Sequence, residues 1–334
     1  MQNSELLYNQ LYTWYNLNKR VLPWRESEDA YAIWVSEIIL QQTRVDQGLP
    51  YFMRFIERFP TIAELADAKE DEVLRYWQGL GYYTRARNMY KAAQQIVSSG
   101  LNTFPQNFND IRALPGIGDY TAGAIAAFAY NMPYPALDGN VYRVLARLTD
   151  CEIPFDTSAG KHHFHQVAEK MLDRNNPRLF DSALMEFGAL YCTPNAPDCN
   201  NCPLNIWCQA YAHNTVSLLP VRKPRPKIRD RYFVYTIYLT PDKKTILRQR
   251  KDKDIWQHLW EFPLVETDVD TFQRQSSGVV FTHILSHQRL HARFALQPVT
   301  TLPDIPQTKV VHISDIDDFA LSRLTLKAME YFGL

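Results

Sequence analysis

Four of the chain's five cysteines, Cys192, Cys199, Cys202 and Cys208, crowd into the stretch from 192 to 208, while Cys151 stands apart. Thiolates are soft metal ligands, and such crowding favours a metal site over a disulfide scaffold, whose cysteines would be spread along the chain. The spacing is C-x6-C-x2-C-x5-C, so all four sulfurs come from one loop. Structural zinc sites usually use two close pairs separated by a longer excursion. A single wrap suits the four-thiolate shell of a [4Fe–4S] cube, with zinc as the alternative that four cysteines alone leave open. Pro194, Pro197 and Pro203 stiffen the loop. Cys151 reads as a small buried hydrophobe.

Two carboxylates are placed for acid–base work. Glu37 lies in Trp34-Val-Ser-Glu-Ile-Ile-Leu-Gln-Gln-Thr43, where its helical neighbours at i−4, i−3 and i+3 are Ile33, Trp34 and Leu40. A carboxyl projecting from an apolar stripe is desolvated, which favours the neutral, proton-donating form that a general acid needs. Asp138 precedes a helical run from Gly139 to Arg147 and suits its N-cap. Helix N–H groups are expected to hold that carboxylate rigid and ionised beside a developing cation. A third segment, Leu114-Pro-Gly-Ile-Gly-Asp-Tyr-Thr-Ala-Gly-Ala-Ile125, sets Gly116 and Gly118 before an alanine-rich run. The two glycines permit a sharp turn that aims backbone N–H groups outward at a helix start, where phosphate is attracted.

These residues need elements to hold them. From about residue 4 to 212, apolar residues recur at three- and four-residue spacing, as at Tyr31, Trp34 and Ile38. That period predicts helices broken by Gly, Pro and Asn/Asp. At Arg231 the period changes to alternation: Tyr232, Val234, Thr236 and Tyr238 against Phe233, Tyr235, Ile237 and Leu239. This predicts a strand, then the turn Thr240-Pro241-Asp242 and a second short strand. Residues 279–285 and 290–296 predict another strand pair, and a closing helix is expected from about Asp317 to Tyr331. Between the two halves, positions 222, 223, 225, 227, 229 and 231 are basic, with two prolines and one acid among them. The stretch reads as a solvated linker and as a candidate phosphate-contacting strap.

A length of 334 residues fits about two domains, and 46% hydrophobic with 22% charged residues excludes a disordered or collagen-like chain. The longest mostly apolar run, 122–130, is far short of the ~20 residues of a membrane span. MQNSELLYNQ lacks the pattern of a secretory signal. A soluble, cytoplasmic, monomeric protein is expected. Lys+Arg and Asp+Glu both number 36, so net charge lends no support to a nucleic-acid partner, which must be argued from local clusters.

Such clusters exist. The cysteine spacing resembles the cluster loop of the endonuclease III and MutY family of DNA glycosylases. The segment from Leu114 to Ile125 resembles the family's helix-hairpin-helix, which grips the DNA backbone without reading sequence. Ser-Glu-Ile-Ile-Leu-Gln-Gln-Thr43 and Leu137-Asp-Gly-Asn-Val-Tyr-Arg-Val-Leu-Ala-Arg147 look like the two catalytic motifs of the MutY, or adenine-removing, branch. Leu22-Pro-Trp-Arg25 and Gly79-Leu-Gly-Tyr-Tyr-Thr-Arg-Ala-Arg87 match further family motifs, and the likeness runs from about residue 6 to 296.

The resemblance implies Glu37 as the acid that protonates adenine and Asp138 as the carboxylate facing the sugar cation. It implies that Tyr120 and Asn140 line that cation and the water. Trp24, Arg25 and Leu40 match the adenine pocket, and Gln42 and Tyr82 match residues that wedge into the base stack. Strand-cutting members carry a nucleophilic lysine where this chain has Tyr120, and a phenol cannot form their imine, so a monofunctional glycosylase is expected. Many members have Asn-Gln or Asn-Glu where this chain has Asp181-Ser182.

Asp254-Ile-Trp-Gln-His-Leu-Trp-Glu-Phe-Pro263 resembles the family's Nudix-like C-terminal domain. The metal-binding run of a Nudix hydrolase is missing between Glu261 and Gly278, so pyrophosphatase chemistry is not expected. Phe281-Thr-His-Ile-Leu-Ser-His287 resembles the loop that inspects 8-oxoguanine opposite adenine, through Ser286 and His287, with Leu285 where the family usually has Phe. His283, His287 and His291 recur every four residues, but on strands that spacing does not converge on a metal. The implied fold is mainly α, a helix-hairpin-helix glycosylase with a [4Fe–4S] loop, plus a smaller α+β Nudix-like domain. The expected division is residues 1–212, a linker at 213–230, and 231–334. The implied partner is double-stranded DNA with A:8-oxoG or A:G mispairs. Rival readings are a thymine-mismatch glycosylase, a strand-cutting lyase, or a non-catalytic zinc-dependent DNA-binding module.

Overall fold

The computed structural model describes residues 2–101, 103–224 and 227–334, with side-chain surroundings from residue 5 onward. Arg225, one of the six basic positions, lies outside the described residues. Helices fill the first part: α1 (Gln2–Asn18), α2 (Pro23–Glu26), α3 (Ala30–Leu40), α4 (Val45–Arg58), α5 (Ile62–Asp67), α6 (Glu70–Tyr76), α7 (Thr84–Ser98), α8 (Phe108–Arg112), α9 (Asp119–Tyr130), α10 (Gly139–Leu148), α11 (Ser158–Met171), α12 (Pro177–Leu190) and α13 (Gln209–Ala212). There follow β1 (Arg229–Leu239), β2 (Lys244–Gln249), β3 (Trp260–Glu261), β4 (Leu264–Thr267), α14 (Val269–Arg274), β5 (Val279–Ile284), β6 (Gln288–Pro298), β7 (Thr308–His312) and α15 (Arg323–Phe332). No described helix is long and apolar enough to cross a membrane.

Two compact units emerge, Met1–Arg44 with Gln95–Pro224, and Val45–Gln94 with Arg225–Leu334. The second unit thus takes in helices from the middle of the helical region, a grouping that chain order does not suggest.

In the first unit α3 is buried along most of its length. Ile33, Trp34, Val35, Ile38 and Ile39 are all buried, as befits a central helix. Asp29 caps it, accepting from the N–H groups of Tyr31 and Ala32. α9 packs on α3 with the small buried side chains Ala122, Ala124, Ala126 and Ala127. α12 starts on Pro177, where a missing N–H is no loss, and packs on α1 and α10. At the last of these contacts a Cβ on Gly188 would stand 2.8 Å from both Cβ and O of Asn140. Glycine there lets α12 approach α10 without moving Asn140.

The second unit holds two sheets, ordered β4-β1-β6-β5 and β3-β2-β7. β1 and β6 run parallel, and the other pairs are antiparallel. Alternation along β1 turns Phe233, Tyr235 and Ile237 inward, where they join Leu247, Leu290, Phe294 and Leu324 in one core. Burial of each such large side chain contributes roughly 1.5–3 kcal/mol. The closing helix begins later than expected. Leu321 forms a parallel bridge to Trp260, and the Ser322 hydroxyl then caps α15 by accepting from Thr325 N at 3.1 Å. Residues Ile313–Asp318 form a separate 3-10 turn.

The same alternation corrects the place of Arg231 in a phosphate strap. It lies on the buried face of β1, 9% exposed, where its guanidinium meets Asp254 at 2.8 Å and Glu266 at 2.6 Å. Arg250 meets Asp254 at 3.0 Å and Glu261 at 3.1 Å, and Arg248 meets Glu261 at 2.9 Å. Polar contacts also tie the unit's helices to its C-terminal part. His258 Nδ1 bonds Glu70 Oε1 at 2.6 Å, and Leu321 N donates to Gln78 Oε1 at 3.0 Å.

Candidate active site

In the first unit, α3, α9 and α10 bring the two carboxylates into one electrostatic neighbourhood. Glu37, on the C-terminal half of α3, is only 6% exposed. Tyr120, in the first turn of α9, donates its hydroxyl to Glu37 Oε2 at 2.6 Å. Burial pushes the Glu37 carboxyl above its ordinary range. The Tyr120 bond and the Arg25 charge pull it back, and the Asp138 charge raises it further. The Tyr120 phenol is raised well above its usual value by burial and by both carboxylates, so it stays a donor.

Asp138 caps α10. Its Oδ1 accepts from Asn140 N at 2.9 Å and Val141 N at 2.7 Å, and its Oδ2 accepts from Asn140 Nδ2 at 2.8 Å. The capping geometry is as expected, but the charge state is not simply that of a solvated cap. Burial raises the Asp138 carboxyl against the pull of these three bonds and of Arg25. Asp138 has three N–H donors that favour its ionised form and Glu37 has one hydroxyl, so of the two carboxyls Glu37 is the better holder of a proton.

Arg25 sits among these groups. Its guanidinium lies 4.5 Å from the centre of the Phe128 ring and donates to Ser182 Oγ at 3.1 Å and Met185 Sδ at 3.3 Å. Trp24 beside it is buried, and Leu40 is half-buried at the end of α3. Ser182 thus serves Arg25 in this chain. Asp181 is 1% exposed and its Oδ2 has no hydrogen-bond partner; burial pushes its carboxyl up to about 8, against the Ala136 N–H and Arg25. Gln42 is exposed in the turn after α3, while its neighbour Gln41 donates to Thr121 at 3.2 Å.

The hairpin joins α8 to α9 through Gly116, whose φ of 78° lies in the left-handed region that glycine enters freely. Gly118 is the N-cap of α9. The turn and the chemistry therefore share one helix, exposed at Gly118 and inward at Tyr120.

The four clustered cysteines line one small cavity together with Arg147 and Tyr191, and all are unpaired thiols. Cys151 is half-buried rather than buried. Burial pushes the Cys202 thiol up to about 12, so an apposed cation would have to draw off the protons. Four soft donors on one wall fit a four-thiolate cluster, although no three His, Cys, Asp or Glu among the described residues converge as a metal-ion group. Two arginines of α10 hold this loop, a role that the sequence reading missed. Arg147 donates to Thr193 O at 2.7 Å, Pro194 O at 3.2 Å and Cys192 Sγ at 3.3 Å. Arg143 donates to Cys192 O at 2.8 Å and to Asn140 Oδ1 at 2.9 Å. Bonds thus run from the cysteine loop through Arg143 and Asn140 to Asp138. Spacing of four on one helix was the available signal, but the partners are distant carbonyls.

Tyr82, Ser286 and His287 belong to the second unit, and all three line a cavity of about 390 Å³. The Tyr82 and Ser286 hydroxyls are hydrogen-bonded. Leu285 and His283 share the wall, as does Trp256, which the sequence did not single out. His291 instead bonds Asp230 at 2.8 Å.

Residues 35–157 match the HhH-GPD superfamily of base excision DNA repair proteins, and residues 234–331 match the NUDIX domain. The chain is 33% identical over 347 aligned residues to the adenine DNA glycosylase of Buchnera aphidicola subsp. Schizaphis graminum, with 98% of each covered. It is 36% identical over 262 residues to the adenine DNA glycosylase of Buchnera aphidicola subsp. Acyrthosiphon pisum, covering 78% of this chain and 75% of the relative. Among solved structures, a thermostable thymine-DNA glycosylase superposes with a TM-score of 0.57 at 23% identity, covering 64% of this chain and 98% of that one. At that identity the likeness shows the fold, a helical glycosylase scaffold. Alignment over nearly the full length of a relative, together with both domain matches, places the chain in the MutY family of adenine DNA glycosylases, adenine-specific DNA N-glycosylases of base excision repair.

Proposed function

We propose that this glycosylase removes adenine mispaired with 8-oxoguanine or guanine in duplex DNA, without cutting the strand. The observation that carries the mechanism is the buried Glu37 carboxyl, held by Tyr120 and electrostatically coupled to the capped Asp138.

An N-glycosidic bond breaks readily only when the leaving base is neutralised and the sugar's positive charge is met. The adenine first leaves the duplex, at a cost of a few kcal/mol that is least for a mispair. Glu37 then gives its proton to the base as the bond electrons move onto the ring. Asp138, with Asn140 and Tyr120 beside it, faces the oxocarbenium-like sugar until water adds to C1′ and gives its proton to the Glu37 carboxylate, a division between two carboxyls like that of glycosidases. Trp24, Arg25 and Leu40 form the base pocket, and Gly116 and Gly118 present backbone to phosphate. Gln42, in the first unit, is a residue that wedges into the base stack, and Tyr82, in the second, is assigned the same kind of contact. Ser286 and His287 inspect the opposite base, in the Nudix-like part of the chain from residue 231. The absence of a lysine at Tyr120 supports a monofunctional enzyme.

Cys192, Cys199, Cys202 and Cys208 would hold the [4Fe–4S] cluster, which when bound supplies a rigid cross-link for its loop. Arg143 and Arg147 carry that order to α10.

A duplex set with A, T, C or G opposite 8-oxoguanine, incubated with enzyme and then with alkali, tests this reading. Product from the A duplex alone is expected, with no cleavage before alkali and no adduct trapped by borohydride. Release of thymine, or a trapped adduct, would overturn it.

A further inference from the structure

The 390 Å³ cavity of the second unit is walled by loops around 79–84, 254–256 and 283–287, with Arg87 and Arg323 at its margin. One of these loops is held against its own backbone preference. Trp256 has φ 57° and His258 has φ 69°, in the left-handed region that side chains other than glycine avoid. Its neighbours pin it from several directions. Arg250 donates to Ile255 O at 3.1 Å and to Asp254 at 3.0 Å, and Arg231 donates to Asp254 at 2.8 Å. Arg87 grips both Gln257 O and Gln257 Oε1, and Glu70 takes His258. Surrounding bonds of this number are what hold a backbone in a rarely populated conformation.

What the loop presents is an indole. Trp256 packs against the core, lies edge-on to the His283 ring at 5.7 Å and lines the cavity. Among the other rings of the wall, Tyr83 is buried with its hydroxyl on Leu321 O, the Tyr82 hydroxyl is tied to Ser286, and His283 meets the indole edge-on. Leu285 offers no ring. An indole lining a cavity together with hydroxyl, imidazole and guanidinium side chains is the chemistry that receives a nucleobase, which stacks on an aromatic ring while its edge is hydrogen-bonded.

We propose that Trp256 is the stacking platform for the base opposite the excised adenine, which makes it a specificity-determining residue. The proposal rests on the reading of this cavity as the inspecting site.

Its test uses the full chain in two assays. In the first, Glu37→Gln protein is saturated with a duplex carrying 2-aminopurine opposite the target adenine. Stacking quenches that probe, so adding Trp256→Ala should raise its emission about twofold or more, while Trp256→Phe should keep it low. Equal emission with and without the indole would overturn the proposal. In the second, single-turnover excision is compared opposite 8-oxoguanine and opposite guanine. Trp256→Ala should lower the ratio of the two rates about tenfold, with Trp256→Phe between. An unchanged ratio in a variant with wild-type melting would also overturn it. If the wild type shows no such ratio but still quenches the probe, the oxidised-guanine reading fails and the platform stands.

Discussion

The two units treat their carboxylates in opposite ways, and in the second only Glu261 of those concerned is fully buried. In the second unit Asp254, Glu261 and Glu266 each lie within 3.1 Å of a guanidinium. The Arg231 bonds hold Glu266 below the usual carboxylate range. Burial alone would raise Asp254, but Arg231 and Arg250 bring it below as well. In the first unit Glu37, Asp138 and Asp181 are all raised by burial, with Arg25 as their shared cation. Glu186 shows that the difference is not one of location. It lies in the first unit too, but Arg20 meets it at 2.7 Å and it titrates low. A carboxylate matched to its own guanidinium is scaffold; one left short of positive charge has its titration shifted by burial and can do chemistry, Glu37 by holding a proton and Asp138 by staying ionised on its three N–H donors.

The contrast is sharpest at the site itself. Asp138→Asn keeps the shape of the cap but removes the countercharge, and single-turnover excision should slow by about 10³-fold while the protein stays folded. A loss of only a few-fold, measured by quenched-flow, would mean that Asp138 is scaffold like its counterparts in the second unit. Arg250→Met reverses the test. It leaves Glu261 with Arg248 and Asp254 with Arg231 as their remaining cations, and urea unfolding should show a loss of about 1–3 kcal/mol with little change in the chemical step.

Asp181 gives an effect that shows only as a dependence on pH. Its carboxyl titrates at about 8 in the folded state and near 3.9 when unfolded. Between those values the folded chain holds a proton that the unfolded chain releases. Stability therefore falls as pH rises from about 4 to about 8 and levels off above. Asp181→Asn should be less sensitive to pH across that window, measured as the difference in Tm between pH 5 and pH 8. An identical difference in variant and wild type would show that Asp181 is ionised throughout.

These outcomes depend on features that were unequally visible in the sequence. Glu37 could be found because helical periodicity shows which neighbours flank it, and Asp138 because an N-cap is a local event. The cysteine loop was visible because its ligands are close in sequence. The strands of the C-terminal part followed from alternation, as at Phe233, Tyr235 and Ile237. Long-range pairings were not visible. Nothing near Arg87 announces Gln257, and nothing near Glu70 announces His258, so the grouping of residues 45–94 with the C-terminal part was hidden. Arg231 looked like linker because its partners Asp254 and Glu266 are more than twenty residues away. These bonds also make a truncation near residue 225 a poor probe of base inspection. It would strip partners from Glu70, Gln78 and Arg87, whereas point variants leave them in place.

The central claim is that the dry carboxyl of Glu37 supplies the proton that frees adenine. Glu37→Gln keeps the size of the side chain and an oxygen for the Tyr120 hydroxyl, but has no acidic proton to give. Its single-turnover excision from a pre-formed complex with an A:8-oxoG duplex, measured alongside binding, is the most direct test. Wild-type affinity with excision reduced at least about 10²–10⁴-fold is the expected result. Release of adenine at close to the wild-type rate would contradict it.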